Sequence, residues 1–384
     1  MAGFIKKYLV VTGILINISL LWVVFAKPDF YWGLQKSVEK NLRKTAPPVA
    51  NVIFGEVIRY SLKDDLKQLG FDQWSPKPAL PTSSNIIRSD QFKSLQAASN
   101  ALSSGDTLQI SQGTYQQAFI VKANNVTIEG LGHVVLESAI VDGKGAIVSK
   151  ANNLTIRNIE CRNIKAKAQN GACVRFHGKN LSLEHVYFHS GQQGLLTSNK
   201  AGKIIIEDSW FINLGKSGRA HGIYVGSDTE LYISDSVFLG AKDQGHEIKS
   251  RASRTLIQRS IIASLSGFDS RLIDIPNGGE LFILESILEQ GPRSVNETAI
   301  GYGLEGKKYS LNTIKMRDNI IILERDGKNN LLHLKNPDTA VVASSNLVIS
   351  SQTTNLPGLN FVFDSRAEAK LAPYPHLPPL PKHP

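Results

Sequence analysis

The segment Lys203-Ile-Ile-Ile206, followed by Asp208-Ser-Trp-Phe211, is one copy of a motif that recurs through much of the chain. Each copy combines an apolar strand, a polar turn residue, a second apolar strand and a glycine-containing loop. Further copies of the first strand are Asn125-Val-Thr-Ile128, Asn153-Leu-Thr-Ile156, Asn180-Leu-Ser-Leu183, Glu230-Leu-Tyr-Ile233, Thr255-Leu-Ile257 and Leu281-Phe-Ile283. Their last residues are 28, 27, 23, 27, 24 and 26 positions apart. Because one copy cannot bury its apolar face alone, this period predicts a solenoid.

A second and a third strand follow each first strand at similar offsets. Asp235-Ser-Val-Phe238 is an example of the second, and Gly222-Ile-Tyr-Val225 of the third. Three strands and three turns per coil predict an all-β fold, a single-stranded right-handed parallel β-helix of roughly nine or ten coils over residues 105–350. The alternative is a sandwich of short strands, whose turns would not keep so regular a register. We place the β-helix domain at residues 89–366.

The N-terminal segment predicts export. Tyr8 to Ala26 contains no charged residue, so as a helix it can just span a bilayer. Lys6 and Lys7 favour a cytoplasmic N-terminus, whereas Val24 and Ala26 also suit a cleaved signal peptide. Either reading of residues 1–27 puts the solenoid on the periplasmic or extracellular side. Residues 28–88 are expected to be a helical juxtamembrane segment and linker, and the Pro-rich tail 367–384 to be extended or disordered.

Charge and cysteine content narrow the classes of partner. The 384-residue chain has a net charge of +10, which suits nucleic acid, an anionic membrane surface or an acidic polymer. The chain has no aromatic-basic nucleic-acid motif, so we expect an acidic polysaccharide partner and no nucleic acid. Cys161 and Cys173 lack metal-ligand spacing, and we expect them to be unpaired coil residues rather than a disulfide.

The beginning of the solenoid carries a family resemblance. Phe92-Lys-Ser-Leu95-Gln-Ala-Ala98 predicts a helix that covers the open first coil, and it leads into Gly105-Asp-Thr-Leu108-Gln-Ile110 and Gly113-Thr-Tyr115. Together with Asn125-Val-Thr-Ile-Glu-Gly130, this segment resembles the entry to the pectate-lyase-like β-helix superfamily, and the resemblance extends to about Asn346. That superfamily includes alginate and chondroitin lyases and mannuronan C5-epimerases. The resemblance is specific for fold and poor for activity.

Candidate site residues follow three equivalent loops, 215–220, 241–245 and 266–270. His221, His246 and Arg271 come directly after these loops and are equally spaced in the sequence, so we expect them to form one column along the solenoid. Strand alternation turns a second column outward beside it: Tyr224, Lys249 and Asp274. The same alternation predicts that Glu247 and Leu272 also face out, whereas Ile223, Val225, Ile248, Ser250, Ile273 and Ile275 face the core. Arg251, Arg175, Arg219 and Asp269 are further candidates for substrate binding.

These residue types suit chemistry on uronic acids. Removal of the C5 proton requires a cation for the carboxylate, a base with a tuned pKa, and an acid. Lys249 and His246 are the competing bases, Arg271 or Arg251 binds the carboxylate, and Tyr224 or His221 supplies the acid. The resemblance adds that related lyases use a Lys and an Arg in such a groove, although no motif of theirs aligns residue by residue.

Other interpretations remain open from the sequence. Lys249 and Asp274 could form a structural ion pair, and the histidines could bond turn carbonyls. A glycoside hydrolase would need paired acids, for which only Glu247 with Asp274 or Asp243 with Asp269 could serve. A non-catalytic glycan-binding or envelope-assembly protein is a third class. No cofactor is expected, although Asp243, Asp269 and Asp274 could hold Ca²⁺.

Overall fold

The structure is a computed structural model that describes residues 60–352 and 356–381, together with Val38, residues 41–42 and residues 44–54. The chain divides into two compact units, Met1–Tyr60 and Ser61–Pro384. In the first unit, the described residues include helix α1, Pro47–Phe54. The predicted apolar span 8–26 lies outside the described residues. None of the helices within the described residues is both long enough and apolar enough to cross a bilayer.

The second unit is built from strands that pair in parallel between successive coils, which confirms the predicted parallel β-helix. The first sheet contains β1 (Ile86–Arg88), β2 (Thr107–Tyr115), β4 (Thr127–Glu137), β6 (Leu154–Arg157), β9 (Leu181–Glu184), β12 (Gly202–Glu207), β15 (Thr229–Ser234), β18 (Arg254–Gln258), β21 (Glu280–Leu284), β24 (Thr313–Arg317) and β27 (Ala340–Ser344). The second sheet starts on the distal halves of β2 and β4 and continues through β7 (Glu160–Arg162), β10 (Tyr187–His189), β13 (Trp210–Ile212), β16 (Val237–Leu239), β19 (Ile261–Ala263), β22 (Ile287–Gln290), β25 (Ile320–Leu323), β28 (Leu347–Ser350) and β29 (Phe361–Phe363).

The third sheet carries the candidate site. Its nine strands are β3 (Phe119–Val121), β5 (Gly145–Ser149), β8 (Ala172–Phe176), β11 (Gln193–Thr197), β14 (Ile223–Val225), β17 (Ile248–Ser250), β20 (Ile273–Ile275), β23 (Thr298–Tyr302) and β26 (Asn330–Leu334). Ile206 pairs with Ile233 in parallel register, as a β-helix requires and a sandwich of antiparallel strands does not. Nine third-sheet strands in the described chain agree with the predicted nine or ten coils.

The turns between the first and second sheets repeat one hydrogen-bonding pattern. Asp208 and Asp235 adopt left-handed backbone conformations with φ of 49° and 50°. The serine that follows each stacks on the next coil, and the Ser209 amide donates to Ser236 Oγ at 3.1 Å. Inside the coils, the Phe211 and Phe238 rings stack with centroids 4.7 Å apart. Asp208 and Asp235 therefore serve the turn chemistry that the sequence predicted.

A short helix covers the first coil, as predicted. Helix α3, Leu95–Asn100, buries Leu95 and Ala98 against the core. The side chain of Gln96 bonds both backbone groups of Ile120 in the edge strand β3, accepting from its amide at 2.9 Å and donating to its carbonyl at 3.2 Å. The helix thus satisfies a strand edge that would otherwise be unpaired.

The expected linker is, from Ser61 onward, part of the β-helix unit. Helix α2, Leu62–Leu69, packs Leu62, Leu66 and Leu69 against the outward face of the second sheet. Trp74 stacks on His185 with ring centroids 5.1 Å apart, and the Lys77 amide donates to Asn158 Oδ1 at 2.8 Å. The spacer that we expected is therefore held on the coils over residues 61–88.

The described part of the C-terminal segment, 367–381, contains no helix or strand and packs on the coils. Tyr374 Oη donates to Asp65 Oδ2 in helix α2 at 2.6 Å. Leu377 joins the apolar cluster under that helix. Partial burial of these two side chains is the physical reason that the described part of the tail is held.

The prediction of unpaired cysteines is wrong. Cys161 in β7 and Cys173 in β8 form a disulfide with Cα atoms 5.9 Å apart. Both side chains point into the core of one coil from adjoining strands, which brings them within bonding distance. The linear spacing hides this proximity, because it includes the turn between two sheets.

Candidate functional site

The outward face of the third sheet brings the predicted columns together. Tyr224 pairs in register with Lys249, and Lys249 with Asp274. The imidazole rings of His221 and His246 stack with centroids 4.8 Å apart and an interplanar angle of 3°. The equal steps in the sequence therefore correspond to one coil each.

Both imidazoles are buried and neutral at neutral pH. His221 is 2% exposed and His246 is 7% exposed. Burial lowers the pKa of His246 to about 3, and the cations Lys249 and Arg271 act in the same direction. Burial likewise holds the pKa of His221 well below its usual range, with His246 and Lys249 acting in the same direction. His221 Nδ1 accepts the backbone N–H of His246 at 3.1 Å, which places the His221 ring proton on Nε2.

Asp274 lies at the centre of the charged groups. Its Oδ2 accepts from Lys249 Nζ at 2.7 Å and lies 3.6 Å from His246 Nε2. Arg271 Nη1 lies 4.0 Å from its other oxygen. The structure thus contains the ion pair between Lys249 and Asp274 that the sequence left open as a structural interpretation.

Arg271 has hydrogen-bonding capacity that no described residue uses. Its Nε is buried and has no hydrogen-bond partner in the described structure. Its side chain as a whole is 16% exposed. A buried donor without a partner costs about 1–3 kcal/mol, and a bound anion is one way to satisfy it.

Arg251 organises the opposite edge of the site. Its Nε donates to Tyr224 Oη at 2.6 Å, its Nη1 to Asn277 Oδ1 at 2.5 Å, and its Nη2 to Glu305 Oε2 at 2.6 Å. Tyr224 Oη is thus an acceptor for Arg251, and its own proton stays available for donation.

The loop between β23 and β24 folds back along this edge. Tyr309 Oη donates to the Arg251 carbonyl at 2.6 Å, and Lys308 pairs with Asp228 at 2.6 Å. The sequence pattern did not point to Asn277, Glu305, Lys308 or Tyr309. An insertion in the sequence could have indicated this loop. The paired first-sheet residues Leu281 and Ile314 are further apart in the sequence than the preceding pair, Thr255 and Leu281.

Two predicted outward residues are instead buried. Glu247 is 1% exposed, and its Oε1 accepts the Ala241 amide at 2.5 Å. Leu272 is fully buried in the core cluster. Both residues precede the regular strands, at the corner where the loops 241–245 and 266–270 fold over, so alternation does not yet apply there. Burial raises the pKa of Glu247 well above its usual range, and nearby Asp269 acts in the same direction.

Asp269 is also unable to contact a substrate from its buried position. It is completely buried, and burial raises its pKa to about 7. Asp243 is exposed and paired with Lys216 at 2.9 Å. The acid pairs that a glycoside hydrolase would need, Glu247 with Asp274 and Asp243 with Asp269, are therefore not present on the surface of the site.

Two predicted substrate-binding residues remain, and only one of them, Arg175, lies on the outward face of the third sheet. Arg175 lies in the outward column of Tyr224, separated from it by Leu196. Arg219 is exposed on the loop 215–220, outside the hydrogen-bonded network. Among the described residues, no three His, Cys, Asp or Glu side chains cluster as a metal site, so Asp243, Asp269 and Asp274 do not form a Ca²⁺ cage there.

Comparisons with known proteins concern the fold. No family model and no curated protein matches the sequence. The structure is similar to an alginate lyase from Paenibacillus sp. str. FPU-7, with 14% identity, coverage of 73% of this chain and 96% of that chain, and a TM-score of 0.49. It is also similar to pectate lyase Pel9A, with 12% identity, coverage of 71% of this chain and 72% of that chain, and a TM-score of 0.42. A pectin methylesterase from Yersinia enterocolitica is similar with 13% identity, coverage of 74% of this chain and 98% of that chain, and a TM-score of 0.40. At these identities the similarity is one of fold alone.

Proposed function

We propose that this protein is an exported, membrane-tethered polysaccharide-active enzyme that abstracts the C5 proton of a uronic acid residue, by lyase or C5-epimerase chemistry. One observation carries the proposal: the partnerless Nε of Arg271 lies beside the neutral imidazole of His246 on a cation-rich surface. A carboxylate on Arg271 would place the adjacent carbon near a group that can accept a proton.

Of the two bases that the sequence offered, we assign the role to His246. Its imidazole is unprotonated, because burial and the neighbouring cations lower its pKa to about 3. A substrate carboxylate held by Arg271 would offset those cations and raise the pKa of His246 toward the range that a general base needs. Lys249, in contrast, is held in ion pairs, because its Nζ donates to Asp274 at 2.7 Å and lies 3.6 Å from Glu305 Oε1. Lys249 is then suited to stabilise the negative charge that develops as the proton leaves.

Tyr224 is the proposed acid. Arg251 fixes the phenol oxygen by donating to it at 2.6 Å, so the phenol proton can be directed outward to a leaving oxygen or to the opposite sugar face. His221 holds the backbone of His246 through its Nδ1 and is 2% exposed, which makes it a positioning residue. Arg271 and Lys249 together neutralise the carboxylate, whose charge otherwise opposes removal of the C5 proton.

The disulfide supports an exported location. Structural disulfides persist in oxidising compartments, and Cys161 and Cys173 are paired in this chain. The tether is proposed from the uncharged segment 8–26, which can act as an anchor or as a cleaved signal. Membrane partition of the full chain, and the N-terminal residue of the mature protein, separate these two forms.

The function is tested by incubating the full chain with a panel of anionic polysaccharides. We expect unsaturated uronate to form if the reaction is elimination, and solvent deuterium to enter at C5 if it is epimerisation. Arg271→Gln should abolish either signal, whereas the matched change Arg259→Gln, at an arginine paired with Asp235 away from the site, should not. Binding of a polyuronate without any turnover would instead favour a non-catalytic glycan-binding protein.

A further inference from the structure

Arg175 and His177 form a second polar patch on the outward face of the third sheet, and Arg175 is its cation. Arg175 lies in β8, and His177 follows that strand directly. Arg175 Nε and His177 Nε2 are both buried, and neither has a hydrogen-bond partner in the described structure. Arg175 Nε is a donor, and His177 Nε2 can be one in the matching tautomer, so the pair points to a ligand with acceptor oxygens.

The charges around this patch are mainly positive. Burial alone lowers the pKa of Arg175, which means that no carboxylate among the described residues offsets its desolvation. Burial also lowers the pKa of His177, with Arg175, Lys144 and Lys150 acting in the same direction. Only Lys144 has an acidic neighbour, Asp142 at 3.6 Å. An anion would therefore gain attraction here without displacing an ion pair of Arg175.

The patch is aligned with the candidate active site. Register pairing runs from Val174 through Leu195, Ile223 and Ile248 to Ile273, so Arg175 lies four coil steps from the coil of Arg271. At about 4.8 Å per step, the two levels are roughly 19 Å apart along the solenoid. Between them, the same outward column continues through Leu196, Tyr224 and Lys249.

We infer that Arg175, with His177, is a distal subsite that binds a second carboxylate of the same polyuronate chain whose reacting sugar lies at His246 and Arg271. The inference rests on the proposed function for the identity of the ligand. It implies that the polymer runs parallel to the solenoid axis and that only chains long enough to span both levels use the subsite.

Kinetics on chains of two lengths test the subsite. For Arg175→Gln, we expect the KM for long polyuronate chains to rise about tenfold or more with kcat unchanged, because the variant loses a charge-assisted hydrogen bond to the second carboxylate. The kinetics for the shortest fragment that the enzyme turns over should not change. Arg175→Lys keeps the charge and should restore part of the affinity, and Arg259→Gln is the matched control for loss of one positive charge.

The outcomes separate the subsite from the catalytic proposal. An equal change for long and short chains, or no change for either, overturns the subsite while turnover still supports the proposed function. If the wild type turns nothing over, equilibrium binding of long polyuronate decides: weaker binding by a folded Arg175→Gln variant supports the subsite although the catalytic proposal fails. Equal binding by variant and wild type, or no binding by the wild type, overturns the subsite.

Discussion

The outward faces of the second and third sheets differ in what covers them. On the second sheet, Ile212, Leu239 and Ala263 point away from the core, yet they are at most 1% exposed, because helix α2 lies over them. On the third sheet, the equivalent outward column is Tyr224, Lys249 and Asp274, and no helix covers it in the described structure. One solenoid therefore presents an apolar face that its own chain covers and a polar face that stays accessible at its edges.

The difference shows how to separate structural from functional surfaces in a β-helix. Apolar outward residues on consecutive coils require a cover, since several such side chains would otherwise expose a continuous patch. Charged outward residues do not, and a partly buried charged column keeps hydrogen-bonding capacity for a ligand. Arg271 and Arg175 both retain a partnerless Nε on this face, whereas Asp65, on helix α2, accepts from Ser266 and Tyr374.

The largest expected effect concerns catalysis on the third sheet. His246→Gln should lower kcat by about 10²–10⁴-fold, which is the usual contribution of a positioned base, while polymer binding is retained. The measurement is turnover and equilibrium binding on the same preparation, with Arg259→Gln as the control. If Lys249→Ala abolishes turnover and His246→Gln does not, Lys249 is the base and the assignment of roles is reversed.

Most of this fold could be predicted from the sequence, because each coil repeats the residue pattern of its neighbours. Equal spacing along the sequence correctly aligned His221 with His246 and Tyr224 with Lys249. Alternation failed at Glu247 and Leu272, which lie at corners where loop packing rather than strand pleat sets the side-chain direction. Contacts across long separations were also out of reach: Glu305 with Arg251 depends on an inserted loop, and Asp65 with Tyr374 joins opposite ends of the second unit.

The ion pair of Lys249 and Asp274 should stabilise the fold as well as the site. We expect Lys249→Ala to lower the free energy of unfolding by about 2–3 kcal/mol, because it leaves a carboxylate with 5% exposure short of its main partner. The double variant Lys249→Met, Asp274→Leu should recover most of that loss in a denaturant titration. If the single and the double variant were both as stable as the wild type, the ion pair would contribute only to ligand binding.

Two buried groups on this side of the molecule should give stability opposite pH dependences. The pKa of His246 is lowered to about 3, so its contribution is present above its ordinary value near 6.5 and is lost as pH falls toward 3. The pKa of Asp269 is raised to about 7, so its contribution is present below about 4 and is lost as pH rises through 7. Between the folded and unfolded pKa values of each group, the two states differ by nearly one bound proton. The free energy of unfolding then changes by about 1.4 kcal/mol per pH unit.

Comparison of each variant with the wild type isolates these effects. The stability difference between wild type and His246→Gln should increase with pH from about 3 to 6.5. The difference between wild type and Asp269→Asn should decrease from about 4 to 7. Thermal melting across this pH range measures both, and parallel curves for wild type and variant would contradict the assigned protonation states.

The smallest effect tests the covered face of the second sheet. Leu66 packs from helix α2 against the cluster of Ile212, Leu239 and Ala263. Leu66→Ala removes apolar contact from a partly buried position, so we expect a loss of about 1 kcal/mol in the free energy of unfolding and unchanged turnover. Leu359→Ala, at a leucine that is 89% exposed, is the control that should change neither quantity. If Leu66→Ala instead lowers kcat without lowering stability, helix α2 on the second sheet is coupled to the candidate site on the third sheet. The two faces would then not be independent surfaces of one solenoid.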